Sequence, residues 1–320
     1  MAVDPRNVNL HTTKLRNEVW LSLGIVAALA IVPAFVHSPY WIGVLILTMY
    51  FAIVTSGWNL LAGYAGQFSL APAPFAMLGG YATGVLAFKL NAPLWIGLPA
   101  SIVVPGLVGL ALGRIVLRQS GVYLALTTLA FGEVMRVVAS NWIDVTRGDQ
   151  GLSVPTLTYS YTAYYYMFLG TLAVTVGVLY CLLRAPLGRF LQAIRDDEIG
   201  AASRGIDLVF YKTIAFAISC AICGLAGGLY GTFSQLVSPE LGIIEQTGLV
   251  IAMAVIGGMG TLVGPLIGAI LVYITSQLLQ GYGSLQMIGV ALLVIIFARF
   301  FQAGLWGLLR RLLVRRPTSS

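Results

Sequence analysis

Few side chains in this sequence are equipped for chemistry, and their spacing restricts what each can do. Glu133 and Arg136 stand three apart inside an otherwise apolar run. On a helix they share a face and can pair, which lowers the cost of placing either in a membrane. An ionisable pair there is a candidate for a transport path, and equally for a structural contact with a neighbouring helix. Asp196, Asp197 and Glu198 form the densest acidic cluster. They would suit a metal-dependent membrane transferase, but no second acidic or histidine cluster is present to complete such a site. Cys220 and Cys223 read C-x-x-C, yet no second pair follows and their neighbours are Ile, Ala and Gly, so redox or zinc chemistry is disfavoured. His11 and His37 stand alone, and no metal site is expected. No lysine follows a glycine, so there is no G-x-x-x-x-G-K-[ST] phosphate loop and no ATP hydrolysis by that route. Nor does the chain carry the buried acid and histidine chains that relay protons. An enzyme is not expected.

The elements that must hold these residues are membrane spans. Of 320 residues only 9% are charged and 58% are hydrophobic, too little polar surface for a water-soluble globule. A span needs about 20 apolar residues, and the gaps between charges are long: 70 uncharged residues separate Glu18 from Lys89, and 53 run from Gln246 to Ala298. The pattern predicts an all-α, polytopic transmembrane bundle of ten spans in a single domain over 1–320. They lie near 20–36, 41–62, 75–88, between Lys89 and Arg114, and near 119–139, 163–183, 213–239, 241–259, 262–280 and 285–303. The first is taken as a retained span because no small-x-small cleavage site follows it. With both termini cytoplasmic, 14 of the 18 basic residues fall inside, in keeping with the positive-inside rule. The net charge of +7 therefore reads as topology rather than as nucleic-acid binding.

Three segments break the pattern. The longest cytoplasmic stretch, 184–212, reads RAPLGRFLQAIRDDEIGAASRGIDLVFYK. Acidic residues open a short helix, Gly200, Ala201 and Ala202 follow, and Gly205 with Ile206 beyond it has the form of a glycine C-cap. From residue chemistry alone it is either a solvated loop of mixed charge or a helix whose small side chains fit a groove on another protein. Gly63, Gly66, Gln67, Ser69, Pro72 and Pro74 interrupt the run after the second span, and Gly257, Gly258, Gly260, Gly264 and Pro265 interrupt the region near 258. Irregular backbone at membrane depth needs protein or a water-filled cavity to satisfy it, so such breaks either line a path or make tight surface turns. Gly224, Gly227, Gly228 and Gly231 give two overlapping G-x-x-x-G pairs, a close-packing face for a helix of this chain or another.

Four stretches in order carry a family resemblance: GWNLLAGYAGQFSLAPAPFAMLGGYATGVL (57–86), GVYLALTTLAFGEVMRVVASNWIDVTRGDQGL (121–152), LGRFLQAIRDDEIGAASRGIDLVFYKTIAF (187–216) and VIGGMGTLVGPLIGAIL (255–271). Together they resemble the LivM-type permease of branched-chain amino-acid ABC transporters, within the wider amino-acid, urea and amide importer family. The third stretch is similar to the permease segment that docks into the ATPase, and the resemblance assigns that role to Asp197, Glu198, Ala201, Ala202 and Gly205. It turns the 184–212 stretch from a plain loop into a coupling loop. It implies a LivH-type second permease, two cytoplasmic ATPase subunits that carry ATP and Mg, and an extracytoplasmic substrate-binding protein, all at a bacterial inner membrane. The chain itself would hold no cofactor and bind no nucleic acid, only its protein partners and membrane lipid. Gly63, Gly66, Gln67, Ser69, Glu133, Arg136, Gly257, Gly258 and Gly260 are then the expected path residues. One departure stands out: similar permeases read GQ-[ILF]-SLG-[HQ]-AAF where this chain has GQFSLAPAPF, with Pro72 and Pro74. Urea or amide transport, or a self-contained secondary transporter or channel, are the alternatives.

Overall fold

The computed structural model describes residues 5–36, 38–119, 121–282, 289, 291–292, 295 and 304–307. In chain order its helices are α1 (Pro5–Ile31), α2 (Pro39–Asn59), α3 (Pro72–Lys89), α4 (Leu94–Val116), α5 (Val122–Asn141), the short α6 (Ile143–Thr146), α7 (Tyr161–Arg184), α8 (Pro186–Asp196), α9 (Glu198–Ser203), α10 (Leu208–Ser234), α11 (Ile244–Gly257) and α12 (Gly264–Leu278). Proline occupies the first turn of α2, α3, α8 and α12, where its fixed φ suits the helix and its missing N–H costs nothing. Pro72 and Pro74 are therefore accommodated in the opening turn of α3, and Pro74 packs against Gly132 of α5, where a Cβ would lie 2.7 Å from the ring.

A helix stands at each of the nine expected span positions before residue 282, and the tenth, 285–303, falls almost wholly outside the described residues. Among the described residues six helices are long and apolar enough to cross a membrane. The chain is thus an all-α, polytopic membrane protein. Three expected spans differ from those six for a physical reason. α3 carries glycines, prolines, Thr83 and Tyr81 that dilute its apolar character and is mostly buried among other helices. α11 and α12, with 14 and 15 residues, reach only about 21–23 Å at 1.5 Å per residue, less than the ~30 Å hydrocarbon core. The first helix also begins at Pro5, well before its apolar run, because helical hydrogen bonding does not require an apolar sequence.

α2 and α10 form the centre. α10, α3 and α4 pack mutually on one another, and α2 packs on α7, α10, α11 and α12. Ile46, Met49, Ile53 and Trp58 of α2 are almost completely buried, whereas Val103 and Leu107 of α4 and Val122 and Leu126 of α5 face outward, as lipid-facing side chains do. In lipid the helices gain little from apolar burial against one another, so close backbone packing carries the association. The expected glycine face supplies it within this chain. A Cβ on Gly227 would overlap the Ala76 carbonyl of α3, and one on Gly224 would overlap the Ser101 carbonyl of α4. A two-residue antiparallel pair, β1 (Leu152–Ser153) and β2 (Leu236–Val237), with Leu152 opposite Val237, ties the loop before α7 to the end of α10.

Candidate functional site

The first break follows from the way α2 ends. Beyond Asn59 the chain winds into a π-turn, Leu60–Tyr64, closed by Ala65 N–H donating to the Leu60 carbonyl at 3.3 Å. Such single wide turns free backbone groups and recur where helices are put to use. Gly66 then takes φ +69, and the chain runs without helix to Pro72. Its polar groups are met by protein: Trp58 Nε1 donates to the Ser69 carbonyl at 2.7 Å, and Leu70 N–H donates to Thr128 Oγ1 at 2.9 Å. Gln67 and Ser69 are both buried, so within this chain they hold the break together.

The second break is a turn between α11 and α12. Gly258 and Gly260 adopt φ +118 and +72, which disfavour any side chain. Thr261 closes the turn, its hydroxyl donating to the Gly258 carbonyl at 2.8 Å and accepting from Gly264 N–H at 3.0 Å. Gly257 and Gly268 lack the Cβ that would strike the Gly264 and Met253 carbonyls, so α11 and α12 fold back tightly on each other.

The two breaks, some 200 residues apart in sequence, are one site. Asn59 bridges them: its Oδ1 accepts from Gly260 N–H and its Nδ2 donates to the Thr261 carbonyl, both at 2.8 Å. A Cβ on Gly63 would collide with the Gly260 backbone nitrogen, so glycine is what allows this approach. Glu18 of α1 reaches the same place, its Oε2 accepting from Leu262 N–H at 3.3 Å. The 184–212 stretch also arrives there, through Arg195 at the end of α8, whose Nη1 donates to the Gly63 carbonyl at 2.8 Å. Gly63, Gly66, Gly257, Gly258 and Gly260 are therefore brought together.

Local chemistry builds the 184–212 stretch as well. Asp197 caps α9 by accepting from Gly200 N–H at 2.9 Å. At the other end Gly205 has φ +81, its N–H donating to the Ala202 carbonyl at 2.9 Å while Ile206 N–H donates to the Ala201 carbonyl at 3.2 Å. That double closure is a Schellman cap, the glycine termination anticipated from sequence. Glu198 pairs with Lys212 of α10 at 2.5 Å, and the Lys212 side chain is only 1% exposed. Ala201 turns inward, while Ala202 and Ile199 point out, Ile199 being 84% exposed.

Glu133 and Arg136 lie apart from this assembly. They form a forked ion pair on α5, Arg136 Nε lying 3.1 Å from both carboxylate oxygens, with the Glu133 side chain 54% exposed on the outer face. Because the hydrogen bonds of the two side chains among the described residues are to each other, exchanging them (Glu133→Arg with Arg136→Glu) is expected to leave the chain's melting temperature within about 2 °C, checked by thermal unfolding in detergent. Cys220 and Cys223 are buried in α10, Cys220 lying against Gly109 and Cys223 Sγ lying 3.8 Å from the Val54 carbonyl. They act as small packing residues, and no group of three or more metal-ligating side chains occurs among the described residues.

Sequence reasoning did not single out Asn59, Arg195, Lys212 or Glu18. Asn59 is an uncharged residue inside an apolar run, four before Gly63, and Lys212 is a lone cation entering a span. An ionisable group at a span boundary is the one available signal, and it names no partner.

Comparison with known proteins places these features in context. The family described as branched-chain amino acid transport system, permease component, matches residues 40–303. The chain is similar to the high-affinity branched-chain amino acid transport system permease protein LivM of Escherichia coli (strain K12), 31% identical over 298 residues, covering 84% of this chain and 70% of that one. It is similar to LivH of the same organism at 24% identity over 279 residues, covering 77% and 88%. The ribose import permease protein RbsC of Haemophilus influenzae is 22% identical over 259 residues, covering 77% and 79%. No solved structure matches the chain.

Proposed function

The chain belongs to the family of permease components of branched-chain amino acid transport systems, and from that premise we propose that it carries branched-chain or related small amino acids across a bacterial inner membrane in an ATP-driven importer. It is a permease subunit, a transport component rather than an enzyme, and the likeness to both LivM and LivH implies a pair of permeases. In this reading a LivH-type partner completes the path, two cytoplasmic ATPases hold ATP and Mg, and an extracytoplasmic binding protein delivers the solute. The chain crosses ten times with both ends cytoplasmic, and 184–212 is the coupling loop.

The observation that carries the reading is α9. It is capped at both ends, held to α10 by Glu198 and Lys212, and presents Ile199 and Ala202 outward. A capped helix whose aliphatic Ile199 is left exposed among the described residues suits a docking element, and ATPase contact through Asp197, Glu198, Ala202 and Gly205 fits its outer side. Ala201 contributes from beneath by seating the helix. The broken segments around Gly63, Gly66, Gly257, Gly258 and Gly260, backed by Gln67 and Ser69, form the cytoplasmic part of the path. The forked pair on α5 supports a different environment for that helix. A charged pair half-way along a span and facing outward is costly against lipid, so Glu133 and Arg136 face the second permease or the aqueous path between the two.

Affinity purification of the chain in mild detergent from its native membranes, followed by mass spectrometry, tests the reading. The expected result is recovery of a second permease of similar size together with P-loop ATPases, and ATP-dependent uptake of labelled leucine when the complex is placed in liposomes. A chain that came down alone and carried leucine without ATP would instead be a self-contained transporter.

A further inference from the structure

Besides the packing of α8 and α9 on α7, α10 and the π-turn, two side-chain contacts hold the helices of the 184–212 stretch, and they differ in kind. The first, Glu198 to Lys212, fastens α9 to the start of the neighbouring α10. The second crosses from the end of α8 to the breaks. Arg195 Nε and Nη2 grip Asp196 Oδ1 at 3.2 and 3.1 Å, which orients the guanidinium, while Nη1 donates to the Gly63 carbonyl at 2.8 Å. That carbonyl lies in the last turn of the π-turn, where backbone acceptors have no helical donor. The arginine stem lies on Gly66, where a Cβ would stand 2.8 Å from Cγ, and Nη1 also borders Gly260, where a Cβ would stand 3.2 Å away. One side chain therefore contacts the first break, the second break and the loop at once. Behind it, Asn59 locks the second break to the end of α2 with a donor and an acceptor bond.

We infer that Arg195 is a positioning residue that transmits displacement of the coupling loop to the paired breaks, with Asn59 making the two breaks move as one unit. The inference rests on the permease reading above. Its physical basis is that a guanidinium presents a rigid planar fork. With one edge fixed on Asp196 and the other on Gly63, α8 cannot shift without carrying the Gly63 carbonyl or breaking the bond. The glycines at 63, 66 and 260 leave no side chain to shield the breaks from the arginine. The Arg195 side chain is 40% exposed and its charge is not fully buried, so its removal costs the stem contact with Gly66 and the bond to Gly63 without leaving an unpaired buried charge.

The test uses the complete importer complex in proteoliposomes, with uptake of labelled leucine and ATP hydrolysis measured on the same preparation. Arg195→Ala is expected to lower leucine carried per ATP hydrolysed about tenfold, the range of a typical coupling energy, while complex yield and hydrolysis stay near wild type. Arg195→Lys, which can still donate to the Gly63 carbonyl but lacks the fork, is expected to recover part of the ratio. An unchanged ratio in Arg195→Ala overturns the inference. So does a parallel fall of yield, hydrolysis and uptake, which marks a structural role only. A wild-type complex without ATP-driven leucine uptake would remove the amino-acid importer reading on which this inference rests, an outcome distinguishable because it appears before any substitution is made.

Discussion

Glu198→Lys is expected to reduce ATP-driven uptake by about a hundredfold, the upper range of coupling between distant sites, while the chain still inserts and folds. Lys212 is buried to 1% exposure, and Glu198 is its one ion-pair partner among the described residues. Removing one member of a buried pair is strongly destabilising locally because the remaining charge is left in a low-dielectric setting. Reversing its sign adds repulsion at 2.5 Å contact. The helix itself survives, because the Asp197 cap and the Gly205 closure do not involve Glu198. What is lost is the seat of α9 against α10, and with it the orientation of Ile199 and Ala202. Glu198→Gln, which keeps an acceptor for the ammonium, is expected to fall between wild type and Glu198→Lys. The measurement is leucine uptake by the reconstituted complex, with circular dichroism and size-exclusion elution of the permease as controls. Uptake that survives Glu198→Lys would sink the coupling role of this pair.

Gly227→Val is expected to abolish recovery of folded protein. A Cβ at Gly227 overlaps the Ala76 carbonyl, and on the adjoining side Gly224 and Gly228 are held against Ser101 of α4, where a Cβ on Gly228 would stand 2.5 Å from the Ser101 hydroxyl. α10 thus has no direction in which to retreat. Overpacking a core that can relax typically costs ~1–3 kcal/mol, and a clash with backbone that is gripped from both sides exceeds that range. Gly177→Val on α7 is the matched control, since a Cβ there meets nothing within 4 Å. The yield of monodisperse protein and its thermal unfolding distinguish the two: the control melts with the wild type, and Gly227→Val gives aggregate. Equal melting of both variants would show that the glycine face does not set the α3–α10 distance.

The comparison of sequence with structure divides along a physical line. Membrane character, the positions of the nine apolar helices up to residue 282, the turn at 257–264 and the glycine cap of α9 were legible because each depends on neighbours within a few residues: hydropathy, charge spacing, proline at a first turn, glycine where φ is positive; α6 and the separate helix α8 were not anticipated. The capping of α9 is a good instance, for Asp197, Gly200 and Gly205 write its two ends within nine residues. Length is where local reading stops. The hydropathy that marks 241–259 and 262–280 does not reveal that α11 and α12 are short and folded tightly on each other, because that follows from Gly257 and Gly268 meeting backbone across the turn.

The sequence by itself determined that this chain is a helical membrane protein resembling a permease, with a short helix capped at both ends between two of its spans. Only the tertiary structure decided which residues meet. It joined the breaks near Gly63 and Gly260 through Asn59, directed the G-x-x-x-G face to α3 and α4 of the same chain, gave Lys212 its partner, and turned Glu133 and Arg136 outward, away from the breaks. The reason is that hydropathy and turn chemistry are summed along the chain, whereas a hydrogen bond from an uncharged side chain to a backbone group depends on how two helices pack. Such a bond has no periodicity and no preferred spacing, so Asn59 and Arg195 carry no mark of their role until the helices are in place.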